Sequence, residues 1–173
     1  MSEQPKGNVR RPTGHEMLLA WALTRTKGPV LELGVGMGST PWLHFWCAAD
    51  NHRQLVSVEN NPKWHKLFNL CYDNDWHQLE WVAKWEDCAR LDEPWSVVLL
   101  DCAPAEARRY CLERLRSRCD YIVVHDWASS PKYGVGKVEK DKPFKSFWLD
   151  KSLWPYTAIL SDTKEIDIAV PAI

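Results

Sequence analysis

The segment from Val30 to Thr40, Val-Leu-Glu-Leu-Gly-Val-Gly-Met-Gly-Ser-Thr, narrows the possible folds more than any other part of the chain. Val30, Leu31 and Leu33 make a short apolar run. Gly34, Gly36 and Gly38 then keep side chains out of the turn that follows. Ser39 and Thr40 offer hydroxyls for an N-cap, and Pro41 suits the first helical position. The order is strand, bare turn, helix start. In such a turn a ligand can lie against backbone, and the positive helix end favours an anionic group or lone pairs. Glu32 is an unusual residue for a buried strand, and from sequence alone it is placed to accept hydrogen bonds from a cationic ligand.

A second signal matches the first. The run Gln54-Leu55-Val56-Ser57-Val58 ends in Glu59, which lies 21 positions beyond Gly38. An acidic residue at the tip of the second strand, about 20 residues past the glycines, is positioned to accept hydrogen bonds from ribose hydroxyls.

The same grammar of strand, cap, proline and helix recurs along the chain. Asn60, Asn61 and Pro62 open a helix with Trp64, Leu67, Phe68 and Cys71 at helical spacing. Trp95 to Leu100 is an apolar run closed by Asp101, and Pro104 opens a helix carrying Ala107, Tyr110, Cys111 and Leu115 on one side. This pattern predicts α/β class: a single three-layer, doubly wound sheet, mostly parallel, with crossover helices. Thr13 and Glu16 have capping-box spacing for a helix that precedes the first strand and stops near Lys27-Gly28. The third strand is expected at Leu79 to Ala83, with its crossover trimmed to about one turn between Trp85 and Asp92. Tyr121 to Val124 forms the fifth, with His125-Asp126 at its carboxyl end. From Trp127 to Asp150, serines, glycines, prolines and Lys132, Lys137, Lys140, Lys142 and Lys145 predict a mobile segment beside the site, with at most a short helix near Phe144 to Leu149. Tyr156 to Leu160 and Ile166 to Val170 are then expected as a hairpin supplying one antiparallel strand near the C-terminus.

At 173 residues the chain fits one domain, expected over residues 13–173 behind a flexible N-terminal arm at 1–12. A net charge of −1 provides no global basic field for nucleic acid. No signal-peptide pattern and no 18-residue apolar run occurs, so a cytoplasmic protein without membrane partners is expected. The six cysteines never form a CxxC pair, which argues against zinc ribbons and redox motifs and predicts small buried hydrophobes. Eleven tryptophans are mostly packing, with some available as a flat wall for an aromatic ligand.

The acidic candidates Glu32, Glu59, Asp101 and Asp126 all fall at the carboxyl ends of expected strands, where open α/β sheets bind ligands. Glu32-x-Gly34-x-Gly36-x-Gly38 followed by Glu59 resembles the first two motifs of the class I S-adenosylmethionine-dependent methyltransferases, nearest to the small-molecule O-methyltransferase types. The resemblance implies that Glu32, the glycines, Ser39 and Thr40 hold the methionine end of S-adenosylmethionine. Glu59 would hold the ribose, Asn60 would lie by the adenine, and Lys84 and Trp85 would occupy the adenine side. It also implies that Asp101 lies near the cofactor's amino group or the substrate. Asp101 and Asp126, with His125, could then hold a divalent cation such as Mg²⁺. The chain departs from catechol-type enzymes, which carry Asp-Asn or Asp-Asp where His125-Asp126 stand here.

Methyl transfer requires in-line positioning and a base for the acceptor proton. His125 suits that role at neutral pH, with Asp101 and Asp126 as its catalytic companions. The other five histidines show no ligand spacing. The leading expectation is methyl transfer to oxygen or nitrogen of a small-molecule substrate or a side chain. A non-catalytic cofactor- or partner-binding module with the same fold is the alternative. GxGxG spacing weighs against a nicotinamide enzyme. The absence of an Asp/Asn-Pro-Pro-Tyr/Phe tetrad or a Pro-Cys pair weighs against DNA methylation.

Overall fold

The structure is a computed structural model that describes residues 14–104 and 106–168; the expected arm, the Thr13 cap and positions 169–170 of the expected last strand lie outside them. Seven strands form one sheet: β1 (Val30–Leu33), β2 (Leu55–Glu59), β3 (His77–Trp81), β4 (Trp95–Leu100), β5 (Cys119–Val124), β6 (Ser146–Asp150) and β7 (Thr157–Ser161). Their order is β3-β2-β1-β4-β5-β7-β6. The strands β1 to β5 pair in parallel, and β7 runs antiparallel to both β5 and β6.

Strand parity sorts the side chains into two layers. Val30, Leu55, Val97, Leu99, Tyr121 and Val123 meet α1 (Gly14–Thr24) and α2 (Thr40–Ala49). Leu31, Leu33, Val56, Val98, Leu100, Ile122 and Val124 face the opposite layer, where α4 (Ala107–Leu115) and the short helices α5 (Ser130–Tyr133) and α6 (Val135–Asp141) pack. The central strands are buried on both faces, as a parallel sheet with two helical layers requires. Between β2 and β3 runs α3 (Pro62–Tyr72), opened by Asn61, whose side chain accepts from the backbone N–H groups of Lys63 and Trp64. The buried Arg53 guanidinium donates to the carbonyls of Leu23, Thr26 and Gly28, so a cation serves the free carbonyl end of α1.

The crossover after β3 is reduced to two 3-10 turns, Trp85–Asp87 and Ala89–Asp92, in line with the sparse sequence there. Four expectations need correction. Residues 144–149 do not form a helix: Ser146–Asp150 is the edge strand β6, paired with β7 from Ser146↔Ser161 to Asp150↔Thr157. Pairing with β7 outweighs local propensity here. The hairpin therefore joins Ser146–Asp150 to Thr157–Ser161 rather than 156–160 to 166–170, and Ile166 and Ile168 pack as irregular chain against the layer of α1 and α2. The segment after β5 is ordered into helices, with Val135, Val138 and Phe144 buried. Five cysteines are buried as expected, but Cys71 is exposed on α3.

Just beyond the ends of β1 and β4, Gly34 has φ +93° and a Cβ there would sit 2.7 Å from the Asp101 carbonyl oxygen and 2.8 Å from the Cys102 Cα. Both partners are backbone and cannot turn aside. Gly34→Ala is therefore expected to lower the unfolding free energy by about 1–3 kcal/mol. The loss should be read as a lower urea midpoint at unchanged slope.

Candidate functional site

The glycine loop is held from beneath by a buried carboxyl group. Glu32 is fully buried and faces the α1/α2 layer. It accepts from the Thr40 hydroxyl at 3.0 Å and from the Ser57 hydroxyl at 2.6 Å. Thr40 in turn accepts from the Gly36 N–H at 3.0 Å. Neither Ser39 nor Thr40 caps α2 through its side chain. Glu32 thus does not open onto the cleft as the sequence suggested: its place on β1 turns it away, and its oxygens are committed to the loop and to β2. The polar chain continues from Ser57 to His77 Nε2 at 2.9 Å, and from His77 Nδ1 to His44 Nδ1 at 2.9 Å. Burial pushes the Glu32 carboxyl up to about 7, with the surrounding hydroxyls offsetting part of the rise. Burial, aided by His44, pushes His77 down to about 3, so it is neutral at physiological pH.

Above the loop, two adjoining cavities share Asn60 and Pro104. One, of about 520 Å³, is lined by Gly34, Val35, Glu59, Asn60, Asn61, Trp64 and Asp101. The other, of about 290 Å³, is lined by Ala83, Lys84, Trp85, Glu86 and Glu106. Glu59 anchors the floor by accepting from Val35 N–H at 3.0 Å and from Asn61 N–H at 2.6 Å. Each carboxylate oxygen retains a second acceptor direction. Trp85 is buried, and its indole N–H donates to the Ala103 carbonyl at 2.6 Å, so the ring is a fixed wall. Gly36 differs from Gly34: a Cβ there would meet only Ser39 Oγ at 3.5 Å, so the protein itself leaves room. A more apolar groove between α1 and α2, lined by Leu23, Trp42, Phe45 and Trp46, carries none of these strand-end groups.

Beside the cleft, β4 and β5 deliver Asp101, His125 and Asp126, whose ligand-capable atoms lie within 4.8 Å of one another. His125 Nδ1 is 3.2 Å from Asp126 Oδ1 and 3.4 Å from Asp101 Oδ1. Asp126 sits in the left-handed region at φ +58°, a strained backbone of the kind that gathers at functional sites. Sequence reasoning missed Arg108, whose buried guanidinium donates to Asp101 Oδ1 at 2.7 Å and to Asp126 Oδ2 at 3.4 Å. A cation in the first turn of α4 opposes the helix dipole, and this was the available signal. Burial opposes the charge on Asp101, but His125 and Arg108 outweigh it and hold the carboxyl below its ordinary range. Burial likewise works against the His125 imidazolium, yet Asp101 and Asp126 raise its affinity for a proton above the ordinary value. The His15 ring packs edge-on against His125 at 4.7 Å, a contact from α1 that spacing did not reveal. One oxygen of each carboxylate, Asp101 Oδ1 and Asp126 Oδ2, already faces the Arg108 guanidinium, which weighs against the divalent cation implied by the resemblance.

No family model matches the chain, and no curated protein matches it in sequence. Its fold is similar to that of human methyltransferase-like protein 13 in complex with S-adenosylhomocysteine, at 14% identity over 92% of this chain and 86% of that one, with a TM-score of 0.62. It is also similar to a candidate O-methyltransferase from Klebsiella pneumoniae, at 17% identity over 92% and 84%, TM-score 0.63. A third likeness is the S-adenosylhomocysteine-bound methyltransferase PaMTH1 of Podospora anserina, at 13% identity over 84% and 75%, TM-score 0.61. The chain has the Rossmann-like fold of the class I methyltransferases. Among the described residues no helix is long and apolar enough to cross a membrane.

The raised proton affinity of Glu32 carries a sign. The folded state holds a proton that the unfolded chain releases near 4.5, so this stabilisation is full below that pH and is lost as pH rises through about 7. Urea unfolding at about pH 5 and about pH 8 should show wild type losing ground to Glu32→Gln at the higher pH. A constant gap between the two proteins would show that Glu32 does not titrate in this way.

Proposed function

We propose that the chain is an S-adenosylmethionine-dependent methyltransferase that moves a methyl group to an oxygen or nitrogen of a small molecule or side chain. The observation that carries this reading is the paired cavity at the carboxyl ends of β1, β2 and β4, with Glu59 and the start of the glycine loop at Gly34 and Val35 on one wall and Lys84-Trp85 on another. Its residue set fits a nucleoside bearing a cationic amino-acid tail. Glu59 accepts from ribose hydroxyls through its free acceptor directions. The backbone of Gly34 and Val35 lines the tail's path, Asn60 lies where the two cavities meet, and Trp85 with Lys84 borders the base. Glu32 and Thr40 act from below, holding the loop in shape.

When bound, S-adenosylmethionine supplies a methyl group on a sulfonium, already strongly electrophilic. The chain's task is to hold an acceptor in line and remove its proton. His125 is the candidate base. In its neutral form it takes the acceptor's proton, and Asp101 and Asp126 stabilise the imidazolium that results. The likeness to solved methyltransferases at low identity supports the fold on which this reading rests. The net charge of −1 gives no global basic field that would recommend nucleic acid as the acceptor.

Calorimetry with S-adenosylhomocysteine tests the reading. Wild type is expected to bind one molecule per chain. Glu59→Ala should weaken binding about tenfold or more, close to 1.4 kcal/mol. Gly36→Val should lose binding while keeping the wild-type unfolding midpoint, because its side chain enters space the protein leaves open. Folded wild type that gives no heat at high micromolar ligand would overturn the proposal.

A further inference from the structure

We propose that the guanidinium of Arg108 is the resident cation of the Asp101–His125–Asp126 cluster, so that this site works without a divalent metal and Arg108 is its positioning residue. The inference deepens the methyltransferase reading and rests on it for the word "works", while the claim about the cation stands on geometry alone.

An arginine side chain has five N–H donors in a fixed planar fork. In Arg108 every one has an acceptor. Nε donates to the Cys102 carbonyl at 2.7 Å. Nη1 serves the His125 carbonyl at 2.9 Å and Asp126 Oδ2 at 3.4 Å. Nη2 serves Asp101 through its carbonyl at 3.2 Å and its Oδ1 at 2.7 Å. The fork thus ties the end of β4 to the end of β5. Tyr133 of α5 lies over it, with the guanidinium carbon 4.4 Å from the ring centroid, and the side chain is only 7% exposed.

A divalent ion bridging Asp101 and Asp126 would need to stand close to the oxygens that Arg108 now holds; Mg²⁺ requires about 2.0–2.1 Å and near-octahedral oxygen donors. To admit it, the guanidinium would have to leave from under Tyr133. Three backbone carbonyls, those of Cys102, His125 and Asp101, would lose a donor. The donor chemistry agrees, since His125 contributes nitrogen where Mg²⁺ prefers oxygen.

With every donor used, Arg108 has none to offer a substrate. It acts through Asp101 and Asp126, fixing where His125 finds its carboxylates.

Manganese titration of the full chain, followed by the electron paramagnetic resonance of free Mn²⁺, tests this. Mn²⁺ accepts both carboxylate and imidazole ligands and so is the more demanding probe. Wild type is expected to leave the signal undiminished up to millimolar protein. Arg108→Gln should gain a single site at least tenfold tighter than any in wild type, lost again when Asp126→Asn is added. A fold merely loosened by the substitution would not create a site with that dependence. Arg108→Lys, which keeps the charge, should fold and still exclude the ion. A stoichiometric Mn²⁺ site in wild type that Asp126→Asn removes would overturn the proposal, as would a folded Arg108→Gln that binds no better than wild type. The wild-type titration decides the matter even if Arg108→Gln does not fold. Calorimetry with S-adenosylhomocysteine on the same samples reports the cofactor reading separately, so either idea can fail alone.

Discussion

The site depends on the close approach of two backbones at the carboxyl ends of β1 and β4. Gly34 lies against the main chain of Asp101 and Cys102 with no room for a side chain. At this point the order of the sheet reverses, β1 leading outward to β2 and β3 while β4 leads to β5. Because the strands separate just beyond Gly34, a crevice opens there, as is general for doubly wound sheets. Glu59 reaches it from one direction and Asp101 from the other. A bulkier residue at position 34 would push apart the two walls between which any ligand must fit.

Around that crevice, acids of similar chemistry meet different fates because their surroundings differ. Glu32 has only hydroxyls for company and no cation, so burial favours its neutral form. Asp101, close to Arg108 and His125, keeps its charge despite burial. Glu59 spends one acceptor direction of each oxygen on the backbone of Val35 and Asn61, which pins the glycine loop and the start of α3 to the same carboxylate. One acid therefore shapes the loop from beneath, another joins two loops at the rim, and a third belongs to a charge-balanced cluster. Asp126 holds its place in the left-handed region, and the packing of His15 from α1 and Tyr133 from α5 completes that cluster from two further elements.

Much of this was legible in the sequence, for definite reasons. Parallel strands leave long apolar runs, and the residue that ends such a run lies at the ligand-binding edge, so Glu59, Asp101, His125 and Asp126 could be placed without coordinates. What stayed hidden depends on parity, register and distance. Glu32 could not be assigned to a face without knowing which side of β1 meets α1 and α2, and the turn at its end suggested an exposure it lacks. The hydrogen bond between His44 and His77 joins residues on different elements that only the pairing of β2 with β3 brings together. Arg108 gave only an indirect signal, its charge in the first turn of a helix, because nothing local reports that two strand ends converge on it. β6 escaped notice because an edge strand with one face half-covered shows little alternation, and its pairing with β7 outweighs that weak pattern.

A crystal structure with S-adenosylhomocysteine tests the central claim most directly. The ligand should lie across the two cavities that share Asn60 and Pro104, with its ribose hydroxyls donating to Glu59 at about 2.6–3.0 Å and its base beside Lys84 and Trp85. Density for the ligand in the groove between α1 and α2, or a strand-end cleft that stays closed to it in well-ordered crystals, would contradict the claim.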